Sequence, residues 1–403
     1  MLRAIVDTVV VTLLRLGVLL LTPLLLFTAR TRQGRLVGLI AVTVAIIAVN
    51  LVVFVLGVDL LGLPGPGFVP NPNPMGIPRP WIASVLRAVV LVSATLFLWL
   101  PLLIALFLLH LPATRCDTAG LRSICLGPTF INRLQQALTP EIDWLWLAVQ
   151  LGTRLDPRIR SAEGRAIREA SKVAVDDFLE WSESTAIVPA WPFAIWGRIL
   201  RPDHGHFVLV KSAKPTGLIV FLHGHGGNSL LLPYLMRDFA ERMNCAIAFP
   251  SFGYGQWEHP SGVDCVARTA SYVLEFCPSI DERNLLLIGL SQGGAGVGRA
   301  ASASGPWAGL VFLSPTLEPK VLRSGDFSES WRGREVLVLH GGVDRHVTPK
   351  SVARGIQAMG EAGVTVTERV WPKASHALVL LQFDEWLSEV QGYASRLGFT
   401  KTS

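Results

Sequence analysis

Charged side chains are scarce in this sequence of 403 residues, where Asp, Glu, Lys and Arg together make up only 16%. Hydrophobic residues reach 50%, so the chain can bury a core and does not have the composition of a disordered protein. The net charge of +6 is uneven: residues 1–111 hold seven Arg, two Asp and neither Lys nor Glu. Because residues 112–403 are then nearly neutral, no nucleic-acid partner is predicted.

Cysteine is also rare. The five Cys are odd in number, and no two of them have the C-x-x-C spacing. Disulfide frameworks are usually even-numbered and dense in short secreted chains, and structural zinc sites need paired Cys or Cys–His motifs. The sequence therefore predicts free thiols in a reducing compartment and no zinc site, with a Cys116–Cys125 bridge as the alternative.

The first 111 residues contain three long apolar runs. The runs 36–56 and 88–109 lack charged residues, and each is long enough to cross the ~30 Å hydrocarbon layer of a bilayer. The run 5–27 is interrupted by two charged residues and a proline, so it is a third span, an interfacial helix or an uncleaved signal-anchor. A transmembrane region of two to three helices is predicted over 1–111, with buried helices of a large soluble fold as the alternative.

Arginine residues cluster on one side of the two uncharged runs. Arg30, Arg32 and Arg35 precede the first run, and further Arg follow the second, whereas the connecting loop 62–80 carries a single charge. Positively charged residues tend to stay on the cytoplasmic side of a membrane. We therefore expect a multi-pass membrane protein with membrane lipids as partners, an external loop and a cytoplasmic C-terminal domain.

Residues 112–200 differ from the apolar segment before them. Two helices are predicted here, over 130–150 and 161–182, and five of the twelve Trp fall in this part. These Trp either lie at the level of the lipid headgroups, as a juxtamembrane collar, or pack against the rest of the domain. The predicted organisation is a transmembrane region, this helical collar segment and a catalytic domain over 201–403.

After residue 205, apolar runs of strand length alternate with helical segments. Near-continuous apolar strands between helices predict a mostly parallel sheet with helices on both faces. Functional groups in such sheets gather beyond the carboxyl ends of the strands. The predicted strands are 207–211, 218–222, 246–249, 285–288, 310–313, 336–339 and 365–370, and the predicted helices are 230–243, 265–276, 293–303 and 350–360.

One of these strands runs into the pentapeptide Gly289-Leu-Ser291-Gln-Gly293, which precedes a helix of small residues. G-x-S-x-G between a strand and a helix is the nucleophile-elbow pattern, in which a sharp turn exposes the serine hydroxyl. The flanking residues must be glycine so that strand and helix can approach each other. Ser291 is therefore a candidate nucleophile at the head of a helix, where backbone amides favour developing negative charge.

An earlier strand ends in His223-Gly-His-Gly-Gly, a turn that exposes backbone N–H groups. In nucleophile-elbow enzymes one oxyanion donor comes from this loop, and the other is the amide that follows the nucleophile. The predicted donors are the amides of His225 and Gln292. The alternative is a metal bound by His223 and His225 with His204 and His206, but no carboxylate or Cys motif joins these histidines, and no metal is predicted.

A serine nucleophile needs a base, and the base needs an acid to orient it. Asp344 follows the predicted strand 336–339, and His376 follows the predicted strand 365–370. The chain order Ser291, Asp344, His376 is the order that accompanies a nucleophile elbow. The three groups are therefore expected to meet at one edge of the sheet.

Together these motifs resemble those of the α/β-hydrolase superfamily. His-Gly-His-Gly-Gly, Gly-Leu-Ser-Gln-Gly-Gly and His-Gly-Gly-Val-Asp-Arg-His-Val-Thr-Pro, all within 205–395, are similar to motifs of three branches. These are the phospholipase/carboxylesterase branch with its acyl-protein thioesterases, the dienelactone hydrolases and the prolyl-oligopeptidase-like domains. The resemblance implies Ser291 as nucleophile, His376 as general base and Asp344 as the acid, without a metal or organic cofactor.

Two residues compete for these roles. His346 is an alternative base, although it lies only two residues from Asp344, and Asp326 is an alternative acid in a Ser- and Gly-rich loop. The aromatic residues that follow the strand 246–249 are candidates for an acyl pocket or, equally, a packed surface loop. These candidates are Phe252, Tyr254 and Trp257.

Three functions follow from these observations. The first is a membrane-anchored serine hydrolase that cleaves a small-molecule or lipid-like carboxylic ester or thioester through an acyl-enzyme. The second is a serine peptidase of the prolyl-oligopeptidase-like type, and the third is a non-catalytic membrane adaptor built on a hydrolase fold.

Overall fold

The computed structural model of the protein describes residues 121–125, 141–182, 202–303 and 305–399. The predicted transmembrane region lies outside these residues, as does part of the predicted collar segment. None of the helices in the described ranges is both long enough and apolar enough to span a bilayer.

The described residues form one eight-stranded sheet with the order β1-β2-β4-β3-β5-β6-β7-β8. β2 runs antiparallel to β1 and β4, and the other neighbouring strands are parallel. The predicted mostly parallel sheet is thus confirmed. The strands are β1 (Leu121–Cys125), β2 (Asp203–Lys211), β3 (Gly217–Leu222), β4 (Cys245–Phe252), β5 (Leu285–Leu290), β6 (Gly309–Leu313), β7 (Glu335–Gly341) and β8 (Thr365–Trp371).

Side chains along a buried strand alternate between the two faces of the sheet. Both faces are therefore apolar, and helices cover both of them. Leu218, Val220 and Leu222 of β3 belong to one core cluster, and Ile219 and Phe221 to the other. The helices are α1 (Glu141–Leu155), α2 (Ser161–Ser182), α3 (Leu231–Leu235), α4 (Arg237–Arg242), α5 (Ser261–Phe276), α6 (Gly293–Ser302), α7 (Pro319–Leu322), α8 (Gly325–Trp331), α9 (Pro349–Glu361), α10 (Leu378–Leu381) and α11 (Phe383–Arg396). α5, α6 and α9 contribute to the first cluster, and α2, α4 and α11 to the second.

The described residues of the segment predicted as a helical collar are part of this fold. Its strand β1 pairs with β2, so the sheet begins about 85 residues before the predicted first strand. The helices α1 and α2 pack on the same core as β2 and β4. Trp144 is buried, and the ring of Trp181 lies 5.1 Å from that of Tyr234 in α3. These two tryptophans therefore pack against the domain, as the second interpretation of the Trp-rich segment expected.

Candidate active site

Ser291 lies on the tight turn between β5 and α6. Its backbone adopts φ = 53°, in the left-handed region that non-glycine residues rarely occupy. Hydrogen bonds hold this conformation: the Ser291 amide donates to the carbonyl of Leu313 (2.9 Å), and the Ser291 carbonyl accepts from the amides of Gly294 (2.9 Å) and Thr316 (2.7 Å). A strained residue that its neighbours hold in place is typical of a functional site.

The two glycines of the elbow allow the strand and the helix to approach. A Cβ atom on Gly289 would lie 2.4 Å from the carbonyl oxygen of Gly293. A Cβ atom on Gly293 would lie 2.3 Å from the carbonyl oxygen of Leu222, at the end of β3. Both approaches involve backbone atoms, which cannot move aside cheaply, so the G-x-S-x-G pattern has a steric cause here.

His376 and Asp344 meet at the carboxyl ends of β8 and β7. The Nδ1 atom of His376 donates to Oδ2 of Asp344 at 2.7 Å, and the Asp344 side chain is fully buried. Oδ1 of Asp344 accepts from the backbone amides of His346 (2.7 Å) and Val347 (2.9 Å). Burial raises the pKa of Asp344, but the hydrogen bond and charge of His376 and the two amides outweigh burial and leave this pKa below its ordinary value. Asp344 is therefore a carboxylate at neutral pH.

The carboxylate also determines the tautomer of His376. An ionised carboxylate only accepts hydrogen bonds, so the imidazole proton must lie on Nδ1. In the neutral ring Nε2 is then an acceptor, which is the form that can take a proton from a serine hydroxyl.

Ser291 and His376 line one cavity of about 700 Å³. Part of its wall is polar, with Gln292, His225 and His346 beside them. The rest is apolar and is built mainly by leucines, which are Leu145 of α1, Leu231, Leu232 and Leu235 of α3, Leu290 of β5 and Leu380 of α10, together with Phe249 and Val379. Such a combination of an apolar wall and a few polar groups is typical of a small-molecule site.

The two predicted oxyanion donors also border this cavity. Gln292 directly precedes α6, and amides in the first turn of a helix have no acceptor within the helix. His225 lies in the turn after β3, where Gly226 and Gly227 adopt φ values of 103° and 91°. Its ring stands edge-on to Tyr254, with centroids 4.5 Å apart, and the Gly226 amide donates to the Tyr254 carbonyl at 3.2 Å. These contacts hold the turn beside Ser291.

The His223 ring stabilises this turn through hydrogen bonds of both ring nitrogens. It is buried, its Nε2 accepts from the Phe252 amide (3.1 Å), and its Nδ1 donates to the Gly224 carbonyl (2.8 Å). Burial lowers the pKa of His223 to about 4, so the ring is neutral at pH 7. Because both ring nitrogens are engaged, this histidine has a structural role rather than that of a metal ligand.

The described residues contain no group of three or more His, Cys, Asp or Glu that could hold a metal ion. His206, another candidate in the alternative metal site, forms a 2.7 Å hydrogen bond through Nδ1 with the hydroxyl of Ser251. The side chain of His204 lies outside the described residues. The alternative metal site thus has no support in the described part of the chain.

The predicted acyl pocket requires correction. Phe252 and Trp257 have 0% exposure and stack on each other at 4.7 Å in the core, and neither lines the cavity. Trp257 donates its indole N–H to the His223 carbonyl at 2.8 Å, so it supports the turn from behind. Tyr254 does not line the cavity either, but its ring contacts His225, which does. Of the two interpretations of this aromatic cluster, the acyl pocket has no support from Phe252 and Trp257, which pack in the core.

The two competing candidates occupy other positions. Asp326 is exposed in the first turn of α8 and does not line the cavity that His376 lines. The ring of His346 is stacked on that of His376, with centroids 5.0 Å apart, but its Nε2 donates to the carboxylate of Asp156 at 3.0 Å. His346 therefore flanks the pair formed by His376 and Asp344, while Asp326 takes no part in it.

Residues of the α1–α2 hairpin complete the site, and no sequence motif marks them. Leu145 and Arg158 line the cavity. Three carboxylates of the hairpin accept hydrogen bonds from the loops that carry the candidate catalytic groups. Glu141 accepts from the amide of Leu230, Asp156 from His346, and Glu163 from the hydroxyl of Ser375. The two partners of each contact are more than 85 residues apart in the sequence, so local sequence patterns could not predict these contacts.

The fold is similar to those of esterases and peptidases among solved structures. Esterase B from Lactobacillus Rhamnosis is 15% identical, with a TM-score of 0.40 over 48% of this chain and 81% of that chain. Acylaminoacyl peptidase from Pyrococcus horikoshii is 12% identical (TM-score 0.39; 47% of this chain and 39% of that chain). Esterase 2 from Thermogutta terrifontis is 17% identical, with a TM-score of 0.39 over 49% of this chain and 91% of that chain.

The similarity to these solved structures concerns the fold alone. Identities this low do not transfer an activity from one chain to another. No protein-family model and no curated protein sequence matches the chain.

Proposed function

We propose that this protein is a serine hydrolase that cleaves a carboxylic ester or thioester through an acyl-enzyme. One observation carries the proposal: Ser291, on a strained turn, shares a cavity with His376, and a buried carboxylate, Asp344, orients that imidazole at 2.7 Å. Nucleophile, base and acid in this arrangement are the components of serine acyl transfer.

In the proposed reaction, Ser291 Oγ attacks the substrate carbonyl carbon while its proton passes to Nε2 of His376. The carbonyl oxygen becomes an oxyanion that accepts hydrogen bonds from the amides of His225 and Gln292. The bond to the leaving oxygen or sulfur then breaks, and the leaving group takes the proton from His376. A water molecule, deprotonated by His376, hydrolyses the acyl-enzyme and regenerates Ser291.

The leucine-rich wall supports an apolar acyl group in the substrate. The wall residues come mainly from α1, α3 and α10. Burying each further methylene of an acyl chain against such a wall gains about 0.8 kcal/mol. We therefore propose short to medium acyl chains as preferred substrates, within a cavity of about 700 Å³.

A fluorophosphonate probe tests the mechanism directly, because it forms a covalent bond only with an activated serine. We expect rapid labelling of the wild-type protein and no labelling of Ser291→Ala. Absence of labelling in the folded wild-type protein would instead support a non-catalytic adaptor. Turnover of p-nitrophenyl esters of graded acyl length then measures the acyl preference, and a higher kcat/KM for peptide amides than for all esters would contradict the assignment to esters.

We also propose that the apolar region 1–111 anchors this domain to a membrane, with the domain on the cytoplasmic side. The two uncharged runs and the arginine distribution of the sequence support this proposal. A reporter fused after Ser403 is expected to be cytoplasmic, and an epitope tag inserted in 62–80 is expected to bind antibody from outside the intact cell. An externally accessible C-terminal reporter would reverse the orientation, and a freely soluble full-length chain would overturn the anchor.

A further inference from the structure

Arg158 brings a permanent charge into the cavity. It lies in the short turn between α1 and α2, and among the described residues that line the cavity it is the only Lys, Arg, Asp or Glu. Its side chain is 53% exposed, so a ligand can reach the guanidinium. A guanidinium beside an apolar wall can bind a substrate that has both an apolar and an anionic part.

Asp156 holds this guanidinium in a fixed orientation. Oδ1 of Asp156 accepts from the amide and the Nε of Arg158, both at 2.9 Å, and Oδ2 accepts from Nη2 at 2.7 Å. The same Oδ2 also accepts from Nε2 of His346 at 3.0 Å. The hydrogen bond from Arg158 holds the pKa of Asp156 well below its usual range, so the carboxylate stays ionised. Its hydrogen-bonding capacity is used by Arg158 and His346.

The remaining N–H groups of the guanidinium, on Nη1 and Nη2, can still donate. Asp156 does not line the cavity, whereas Arg158 does, so an anion in the cavity meets the guanidinium before the carboxylate. The ion pair is neutral as a whole, and its attraction is therefore short-range hydrogen bonding rather than long-range steering. A guanidinium offers parallel N–H donors that match a carboxylate or a phosphate.

The position of Arg158 also indicates which part of the substrate it meets. Asp156 links it to His346, whose ring is stacked on His376 at 5.0 Å. In acyl transfer the imidazole base donates its proton to the leaving group, so in the proposed reaction the leaving group lies close to His376. Arg158 is thus on the leaving-group side.

On the basis of the proposed function, we infer that Arg158 is a specificity-determining residue that binds a carboxylate or phosphate on the alcohol or thiol part of the substrate. The preferred substrate is then an ester or thioester with an apolar acyl chain and an anionic leaving group. The α1–α2 hairpin supplies this selectivity, while the loops of the sheet supply the chemistry.

Three butanoate esters with matched leaving groups test this inference with the full-length protein. They are para-butanoyloxybenzoate, its uncharged methyl ester and para-butanoyloxyphenyl phosphate. Arg158→Gln is expected to lower kcat/KM for one or both anionic esters by about tenfold, with less than about a twofold change for the methyl ester. Arg158→Lys should recover part of the loss, because it keeps the charge but not the planar donor pair.

Arg160→Gln is the matched control, because Arg160 is an exposed arginine of the same turn that does not line the cavity. It should leave all three values unchanged. A loss limited to the carboxylate or to the phosphate ester identifies the anion that is bound. Equal losses on charged and uncharged esters, or no loss, would overturn the role of Arg158 while the proposed function stands. If no ester is cleaved in a Ser291-dependent manner, the proposed function fails, and this inference fails with it.

Discussion

Ser291→Ala is expected to reduce kcat for p-nitrophenyl butyrate by roughly 10⁶-fold, to the residual rate that binding and oxyanion stabilisation alone provide. In the proposed mechanism the hydroxyl oxygen of Ser291 forms the acyl-enzyme, and no other serine of the described residues both has a positive φ and lines the cavity with His376. The substitution removes one oxygen atom from a half-buried residue, so the melting temperature should change little. Steady-state kinetics and thermal unfolding of the same preparation measure both effects.

Ser314→Ala is the matched control for this prediction. Ser314 also follows a strand, β6, and also has a positive φ, of 43°. Its side chain is fully buried, does not line the cavity and has no hydrogen-bond partner among the described residues. Removal of an unpartnered hydroxyl is close to neutral for stability, and activity should be retained. A similar loss of activity in both variants would mean that backbone strain at the strand ends, rather than the Ser291 hydroxyl, determines turnover.

Groups at the carboxyl ends of parallel strands were predictable from the sequence. The motifs around Ser291 and Asp344 each follow an apolar run, and His376 follows the more polar strand β8. Parallel strands bring their carboxyl ends to one edge. The strand signal is strong here because β3, β5 and β6 are buried on both faces and therefore read as continuous apolar runs. Each group follows a predicted strand, and the sheet is predicted to be mostly parallel. These two sequence-based predictions are enough to bring the three groups to one edge of the sheet.

Elements stabilised by distant contacts were less predictable. β1 has the sequence Leu-Arg-Ser-Ile-Cys, which contains no apolar run. Its partner strand β2 lies about 85 residues away in the sequence. The predicted helix 230–243 is two short helices, α3 and α4, that meet at Met236. The 14-residue helix α11 was not predicted, although Trp386, Val390 and Tyr393 on one of its faces are buried. In each case tertiary packing, rather than local propensity, determines the element.

The α1–α2 hairpin shows the same limit at the site. Its acidic residues look like a solvated helix face in the sequence, yet Glu141 and Asp143 are buried. Glu141, Asp156 and Glu163 reach three different loops around the cavity. Acidic residues are usually solvated at the surface, and here Asp156 and Glu163 connect the hairpin to the loops that carry His346 and Ser375.

Asp344→Asn is expected to lower kcat by about 10⁴-fold while the fold stays intact. The contacts of the two carboxylate oxygens explain why. Oδ1 accepts from the amides of His346 and Val347, and an asparagine carbonyl can accept both bonds in the same way. Oδ2 faces Nδ1 of His376 at 2.7 Å, and there the asparagine presents an NH₂ donor instead of an acceptor. The imidazole must then carry its proton on Nε2, where it cannot accept the proton of Ser291.

Asp326→Asn separates this effect from a general loss of negative charge. Asp326 is exposed on α8, so this variant has the same change in net charge and should retain turnover within about twofold.

Because the folded-state pKa of Asp344 is lowered, its carboxylate stabilises the fold above its unfolded pKa, and that contribution is lost only as the pH falls through the lower, folded-state value. The Asp344→Asn defect should accordingly persist across neutral and mildly acidic pH, where Asp344 is ionised in the wild-type protein. A pH–rate profile in which the two enzymes converge at neutral pH, or a larger defect in Asp326→Asn, would mean that another group orients His376.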